Sequence, residues 1–273
     1  MSIGDALKIA FFVILILALA LAIMNYIQQA NQPKPQLAMG TPAGLYYKGP
    51  PTTALAAWYC IENINSTNYY SIQLNAELNN GLEIQNTYGP SVTFDYITWQ
   101  TAFLDNVWYE ETSNGTPVLL HASNPINDVV NAPCAWLVIA LKNGIAYFGY
   151  SLDGRHVVWY DSYTVGNTTI EPAFGTQIVL AGASNGEQAQ LGHGTLVFLA
   201  LYYWNGTNWV PAKVGVMDIY AGTVESVNHA WIYTRGECSG YVAWFGWNKT
   251  DWTTPVLPGN IEPICPTPPS FRP

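Results

Sequence analysis

The sequence predicts an all-β fold, an antiparallel sandwich of short strands, and two observations carry this prediction. After residue 50, short runs rich in β-branched and aromatic residues recur between glycines, asparagines and prolines, which is typical of strands joined by turns. Within these runs apolar and polar residues alternate, most strictly in residues 71–78, where Ile72 and Leu74 face opposite to Gln73 and Asn75. Many short strands at such spacing indicate a sandwich or a barrel.

Two pairs of these runs read as β-hairpins. Residues 145–151 and 156–163 flank a four-residue turn that contains Asp153 and Gly154, and an Asp-Gly pair supplies the positive φ that a tight turn requires. Residues 195–204 turn at Asn205-Gly206 into residues 209–216, which predicts a second hairpin.

The composition excludes several classes of protein. The 273 residues are 49% apolar and only 10% charged, which is incompatible with a disordered chain or a coiled coil. The net charge of −9 leaves no room for an extended basic patch, so a nucleic-acid partner is not expected.

The N-terminal region predicts a single transmembrane helix. Residues 9–24 are uninterrupted apolar residues, and residues 9–27 are long enough to serve as a membrane anchor. Lys8 precedes this run and no positive charge follows it until Lys34, so the N-terminus is expected inside and the C-terminal domain outside the cell or virion. A cleaved signal peptide is the alternative, because Ala-x-Ala patterns occur within the run.

Composition divides the chain into four segments. Residues 1–30 form the cytoplasmic stub and anchor, residues 31–52 a Pro-rich stalk, residues 53–254 the sandwich, and residues 255–273 a Pro-rich tail.

Cysteines and sequons agree with a location outside the cytoplasm. Four cysteines follow the anchor, and the sequence leaves three pairings open: Cys60, Cys134, Cys238 and Cys265. Five N-x-[ST] sequons predict glycosylation: Asn65, Asn114, Asn167, Asn205 and Asn248.

A search for catalytic motifs predicts no metal site and no cofactor. The four histidines have no metal-ligand spacing, and no phosphate-binding or serine-hydrolase motif stands in a suitable context. Carboxylates in or beside predicted strands could form an acid pair on one sheet face: Glu77, Glu83, Asp95, Asp105, Asp161, Asp218 and Glu225. The abundant tryptophans fill the core or form a flat platform for sugars or peptides.

Short strings spread over residues 54–231 resemble the thermopsin family. They are SIQLN (71–75), IQN (84–86), FLDNVW (103–108), YFGYS (147–151), WYDS (159–162) and GTVES (222–226), in the family's order.

This resemblance implies a fold and a possible activity. It implies a jelly-roll, concanavalin-A-like sandwich similar to glutamic peptidases, on a secreted or membrane-bound protein of thermoacidophilic archaea or their viruses. Thermopsins are acid proteases, and glutamic peptidases pair a glutamine with a glutamate. The resemblance makes Gln73 the candidate catalytic glutamine, whereas Gln190 stands where the acid is expected and cannot transfer a proton. Glu225 is then the candidate catalytic acid, with Glu187 as the alternative.

The expected function is therefore that of an anchored, glycosylated surface or virion-envelope protein that binds, adheres or assembles without catalysis. Its partner would be a glycan, a protein receptor or an envelope protein, and the chain could form a homo-oligomer. An anchored acid endopeptidase is the first alternative, and a lectin-like carbohydrate binder is the second.

Overall fold

The computed structural model describes eleven segments of the chain, all within one compact unit that spans residues 36–273. These segments are residues 36–38, 42–66, 70–93, 96–109, 118–123, 131–182, 188–217, 226–228, 230–234, 237–244 and 265–273. The predicted anchor, residues 9–27, lies outside them. Within these segments, no helix is long and apolar enough to cross a membrane.

The described residues form eighteen strands. They are β1 (Gln36–Ala38), β2 (Ala43–Tyr47), β3 (Ala54–Asn63), β4 (Ser71–Glu77), β5 (Leu82–Thr93), β6 (Tyr96–Tyr109), β7 (Val118–Ala122), β8 (Cys134–Lys142), β9 (Ile145–Ser151), β10 (Val158–Thr164), β11 (Gln177–Ala181), β12 (Gln188–Gln190), β13 (Leu196–Trp204), β14 (Trp209–Pro211), β15 (Val214–Met217), β16 (Ser226–Asn228), β17 (Ala230–Thr234) and β18 (Ser239–Trp244).

Two antiparallel sheets hold sixteen of these strands. The nine-stranded sheet has the order β1-β17-β18-β13-β3-β8-β9-β10, with β14 also paired to β13. The seven-stranded sheet has the order β15-β2-β11-β4-β5-β6-β7, and β12 and β16 form a separate parallel pair. The sequence-based prediction of an all-β antiparallel sandwich is confirmed.

The main core lies between the two large sheets. Strand β4 contributes Ile72, Leu74 and Ala76 to it, and the alternating positions of β3 contribute Leu55 and Tyr59, all of them buried. Burying these alternate positions fixes the register of each strand, because a slip of one residue would turn its apolar face outwards.

The first predicted hairpin is confirmed, and the second is shorter than predicted. Strands β9 and β10 pair antiparallel around the turn that contains Gly154, whose φ is +68°. Strand β14 pairs with β13 as expected, but β15 pairs with β2 in the other sheet. The strand pairing ends at Pro211, one further hydrogen bond runs from the Ala212 N–H to the Leu201 carbonyl oxygen at 3.0 Å, and the chain then continues into β15 of the other sheet.

Part of the predicted stalk belongs to the sandwich. Within residues 31–52, strand β2 lies between β15 and β11, with Ala43, Leu45 and Tyr47 buried. Proline and glycine content suggested a linker, but alternate apolar residues place β2 in the sheet. Gly44 permits the close packing, since a Cβ there would come within 2.0 Å of the Ile178 carbonyl oxygen. The domain therefore begins before residue 53.

The described end of the predicted tail packs on the outer face of the nine-stranded sheet. Phe271 is buried in a second apolar cluster with Trp136, Tyr202 and Trp209. The Trp209 Nε1–H donates to the Phe271 carbonyl oxygen at 2.8 Å, and the Tyr202 hydroxyl donates to the Pro266 carbonyl. The tryptophans of this cluster therefore fill a core, as one of the two sequence-based interpretations expected.

Two disulfides resolve the pairing that the sequence left open. Cys60–Cys134 joins register partners on β3 and β8, and Cys238–Cys265 ties the tail to the sandwich.

Candidate functional site

Two edge strands meet on one side of the sandwich, and each carries a β-bulge. Strand β7 is the last strand of the seven-stranded sheet, and β10 is the last strand of the nine-stranded sheet, within the part of the chain that the structure describes. The extra residue is Leu120 in β7 and Tyr160 in β10, and in each case the next residue carries a polar side chain, His121 or Asp161. Bulges redirect side chains at strand edges, often at functional sites.

These bulges bring two carboxylates and one imidazole together. The His121 Nε2 atom lies 2.9 Å from Asp161 Oδ2 and 3.7 Å from Asp105 Oδ1. One ligand atom from each side chain lies within 4.8 Å of the other two. We call Asp105, His121 and Asp161 the acid–histidine cluster, and it spans the gap between the two sheets.

Asp105 is the buried member of the cluster. Its side chain is 0% exposed, whereas those of His121 and Asp161 are 27% and 25% exposed. Neither Asp105 carboxylate oxygen makes a hydrogen bond of normal geometry to a described residue, although the Ser123 and Asp161 side chains lie close enough to affect its pKa. Burial raises the pKa of Asp105 from 3.8 to about 8, and the Asp161 carboxylate contributes to the increase. Such a set of groups can share protons or bind a cation.

The polar residues beside the cluster fix it to both sheets. Asn86 on β5 is fully buried and donates from Nδ2 to the Val138 and Gly149 carbonyl oxygens of the opposite sheet, at 2.8 and 2.9 Å. Its Oδ1 accepts a hydrogen bond from the Tyr160 hydroxyl at 2.9 Å. Burial, followed by the charges of Asp105 and Asp161, raises the pKa of Tyr160 well above 10, so its hydroxyl keeps its proton.

Exposed apolar side chains lie on the same two edge strands as the acid–histidine cluster. Among the described residues, five large apolar side chains are exposed by 39–57%, and they lie on β7, on β10 or in the turn before β10: Val118, Leu120, Leu152, Val158 and Trp159. We call these five residues the apolar rim. Exposed apolar residues that concentrate on two edge strands, rather than being scattered singly over the surface, can mark an interaction site.

The predicted catalytic glutamine lies elsewhere, on the outer face of the seven-stranded sheet. Gln73 is 4% exposed, and its Nε2 donates to Ser71 Oγ at 2.8 Å. Its Oε1 accepts from Gln85 Nε2 at 3.1 Å, and the Gln85 Oε1 accepts from Asn106 Nδ2 at 3.1 Å. These amides form a hydrogen-bonded row across β4, β5 and β6.

The other residues that the resemblance singled out are separated or undescribed. Gln190 lies in β12, where its Nε2 donates to Gln188 Oε1 at 3.1 Å. Glu225 lies outside the described residues, so a Gln73–Glu225 pair stays a prediction. Among the sequons, Asn65, Asn167 and Asn205 are exposed, as glycan acceptors must be, and Asn114 and Asn248 lie outside the described residues.

Sequence reasoning found the cluster's members but not their association. Asp105 and Asp161 stood among seven strand carboxylates, and His121 was treated as an isolated histidine because no short motif links it to another ligand. Residues 105, 121 and 161 become neighbours only through the pairing of β6 with β7 and the stacking of β7 against β10. The only sequence signal was that Asp105 and Asp161 each lay in or beside a predicted strand.

Comparisons with known proteins show a distant likeness of fold. No family model and no curated protein sequence matches the chain, so membership of the thermopsin family stays a prediction. Two structures of scytalido-glutamic peptidase are similar. One, with a peptide-based transition state analogue, has 10% identity and a TM-score of 0.39 over 74% of this chain and 97% of that chain.

The other, with a transition state analogue inhibitor, has 9% identity and a TM-score of 0.40 over 76% of this chain and 98% of that chain. A functionally unknown protein from Saccharomyces cerevisiae has 7% identity and a TM-score of 0.25, over 66% and 74% of the two chains. At these values the similarity concerns the two-sheet sandwich alone and identifies no functional residue.

Proposed function

We propose that the protein is a cell-surface or virion-envelope protein that binds an extended segment of a protein partner at the apolar rim, without catalysis. The observation that carries this proposal is the position of the exposed apolar residues. All five lie at the side of the sandwich where β7 and β10 end the two sheets. An edge strand offers unpaired backbone N–H and C=O groups, and an extended peptide can add to it as a further strand.

The chemistry of the rim favours a peptide over a glycan. Four of the five rim residues are aliphatic, and Trp159 is the one aromatic member. Sugars stack on flat aromatic faces, whereas aliphatic side chains suit the apolar side chains of a peptide. Two tryptophans of the predicted sugar platform, Trp136 and Trp209, are buried beneath the tail. The lectin alternative therefore has less support than peptide binding.

A location outside the cytoplasm fits the disulfides and the exposed sequons. Every cysteine of the chain is paired, which is typical of proteins that mature in an oxidising compartment. In this proposal residues 9–27 anchor the chain in a membrane with the sandwich outside, and glycans on Asn65, Asn167 and Asn205 contribute solubility.

The test of this function is peptide binding by the full chain in detergent. A phage-displayed library of extended peptides is selected on the immobilised protein, and the affinity of selected peptides is then measured in solution. Peptide affinity should decrease at least tenfold in Leu120→Ser and Trp159→Ser variants, because each loses an exposed apolar side chain of the rim, one on β7 and one on β10. Lys213→Ser, an exposed position away from the rim, should bind as the wild type does. Failure to select any peptide, or equal binding by all variants, would contradict the proposal.

An acid endopeptidase is the second candidate, and the amide row favours it. Gln73 is held by hydrogen bonds from both ends of its amide group, as a positioned catalytic amide would be. This alternative requires peptide cleavage at acid pH that depends on Gln73 and on an acid such as Glu225.

A further inference from the structure

We propose that Asp105, His121 and Asp161 bind one divalent transition-metal ion of the zinc class between the edge strands β7 and β10. This site goes beyond the proposed peptide binding and does not depend on it, since it rests on three ligand side chains rather than on the apolar rim.

The spacing of the ligand atoms fits a single ion. Two ligand atoms bound tetrahedrally to zinc, each about 2.0–2.1 Å from the ion, lie about 3.3 Å from each other. The His121 Nε2 atom is 2.9 Å from Asp161 Oδ2 and 3.7 Å from Asp105 Oδ1, so these separations lie on either side of that value. The Asp105 and Asp161 ligand atoms lie within 4.8 Å of each other, so one ion can occupy the space between the three atoms after the side chains adjust.

The unpartnered state of Asp105 is independent evidence for a ligand. Its side chain is fully buried, and neither carboxylate oxygen makes a hydrogen bond of normal geometry to a described residue; the nearby Ser123 and Asp161 side chains approach it without completing one. A buried carboxylate without partners is costly, and native proteins satisfy such groups with a hydrogen bond, a water molecule or an ion. Asp105 Oδ1 points towards His121, where the ion would satisfy it.

Neighbouring groups orient the three ligands. The Ser162 N–H donates to Asp161 Oδ1 at 2.7 Å, which leaves Oδ2 directed at His121. The His121 ring stacks on Tyr163, with the ring centroids 4.9 Å apart. The Asp105 backbone is held twice by Ser123, which accepts from its N–H at 2.9 Å and donates to its carbonyl at 3.0 Å. Such outer contacts are what position metal ligands in proteins.

The donor set selects the class of ion. Calcium and magnesium prefer oxygen ligands, whereas an imidazole nitrogen beside two carboxylates suits zinc or a neighbouring first-row ion. Three protein ligands leave a tetrahedral ion one open position. His121 and Asp161 are about a quarter exposed, so this position can face solvent.

The test is metal titration of the untagged full chain in detergent, after treatment with a chelator and its removal. Isothermal titration calorimetry with ZnCl₂ and MnCl₂ should give one ion per chain, and CaCl₂ and MgCl₂ should bind more weakly. The saturating metal should also raise the Tm. Asp105→Asn, His121→Ala and Asp161→Asn should each weaken binding by more than about tenfold, because loss of an outer contact alone costs that much.

A second histidine–aspartate pair provides the matched control. His156 Nδ1 lies 2.7 Å from Asp153 Oδ2, but this pair is exposed and has no third ligand within the described part of the chain. His156→Ala should therefore leave the affinity unchanged. If a cluster variant fails to fold, the site is tested instead by the visible absorption of the wild type loaded with Co²⁺, since tetrahedral nitrogen and oxygen coordination gives intense visible bands. Absence of a one-to-one complex, or equal losses in His156→Ala and His121→Ala, would overturn the proposal.

Discussion

At the scale of single residues, two buried polar side chains that face each other on neighbouring strands differ in their hydrogen bonding. Asn86 on β5 and Asp105 on β6 face each other in the ladder, and both are fully buried. Asn86 uses its amide to join the sheets, with two donated hydrogen bonds and one accepted. Asp105 has no such partner and instead faces His121 and Asp161. The first residue is therefore expected to stabilise the fold, and the second to serve the site.

Replacing Asn86 with alanine should destabilise the protein by about 3 kcal/mol or more. The change removes three buried hydrogen bonds, each worth on the order of 1 kcal/mol, and leaves the Tyr160 hydroxyl without its acceptor. Tyr160→Phe removes only one of these bonds and should cost about 1 kcal/mol. Urea unfolding measures both, and an Asn86→Ala cost no larger than that of Tyr160→Phe would contradict this account.

The metal-free protein should lose stability as the pH increases from about 4 to about 8. The pKa of Asp105 is raised from 3.8 to about 8 in the folded state, so folding favours its protonated form. That contribution is complete below pH 3.8 and is lost as the pH rises through 8. His121, Asp161 and Tyr160 are the titratable groups that face it.

Unfolding at pH 4 and pH 8 in the presence of a chelator measures this contribution, which should be on the order of a few kcal/mol. Asp105→Asn, which cannot ionise, should flatten the dependence. An unchanged difference between the two pH values in this variant would show that other groups cause it.

At the scale of elements, the alternation of apolar and polar residues predicted the strands well, whereas proline and glycine content predicted the connecting segments less well. The strict alternation of residues 71–78 and the Asp-Gly turn gave β4 and the β9–β10 hairpin, because one buried face and one tight turn determine them locally. Strand β2 was not predicted because the prolines around it suggested a linker, although its apolar residues Ala43, Leu45 and Tyr47 alternate. The two bulges could not be foreseen, since a bulge depends on which strand lies opposite.

The C-terminal segment should act as a strap that stabilises the nine-stranded sheet. Phe271 is buried against Trp209, with ring centroids 5.6 Å apart, whereas the adjacent Arg272 is exposed. Phe271→Ala should lower the free energy of unfolding by about 3 kcal/mol, because it removes a large buried side chain and leaves a cavity. Arg272→Ala should change it by less than about 0.5 kcal/mol. Equal effects of the two changes in thermal unfolding would show that the tail does not support the sheet.

At the scale of the whole molecule, the sandwich places four features at three positions. The apolar rim and the acid–histidine cluster lie where β7 and β10 meet, the amide row with Gln73 covers the outer face of the seven-stranded sheet, and the tail covers the outer face of the other. The sequence predicted the class of fold and the candidate residue Gln73. It could not predict the edge site, because that site forms only where the two sheets stack. Binding at the edge and catalysis at the amide row are therefore separable by experiment.

The most direct measurement of the central claim is acid proteolysis by the folded, disulfide-bonded full chain. Cleavage of an unstructured protein substrate is followed between pH 2 and pH 7 for the wild type, Gln73→Ala and Glu225→Ala. The account predicts no turnover above the rate without protein, and the same background for all three chains. Turnover by the wild type that disappears in either variant would contradict it and establish an acid endopeptidase.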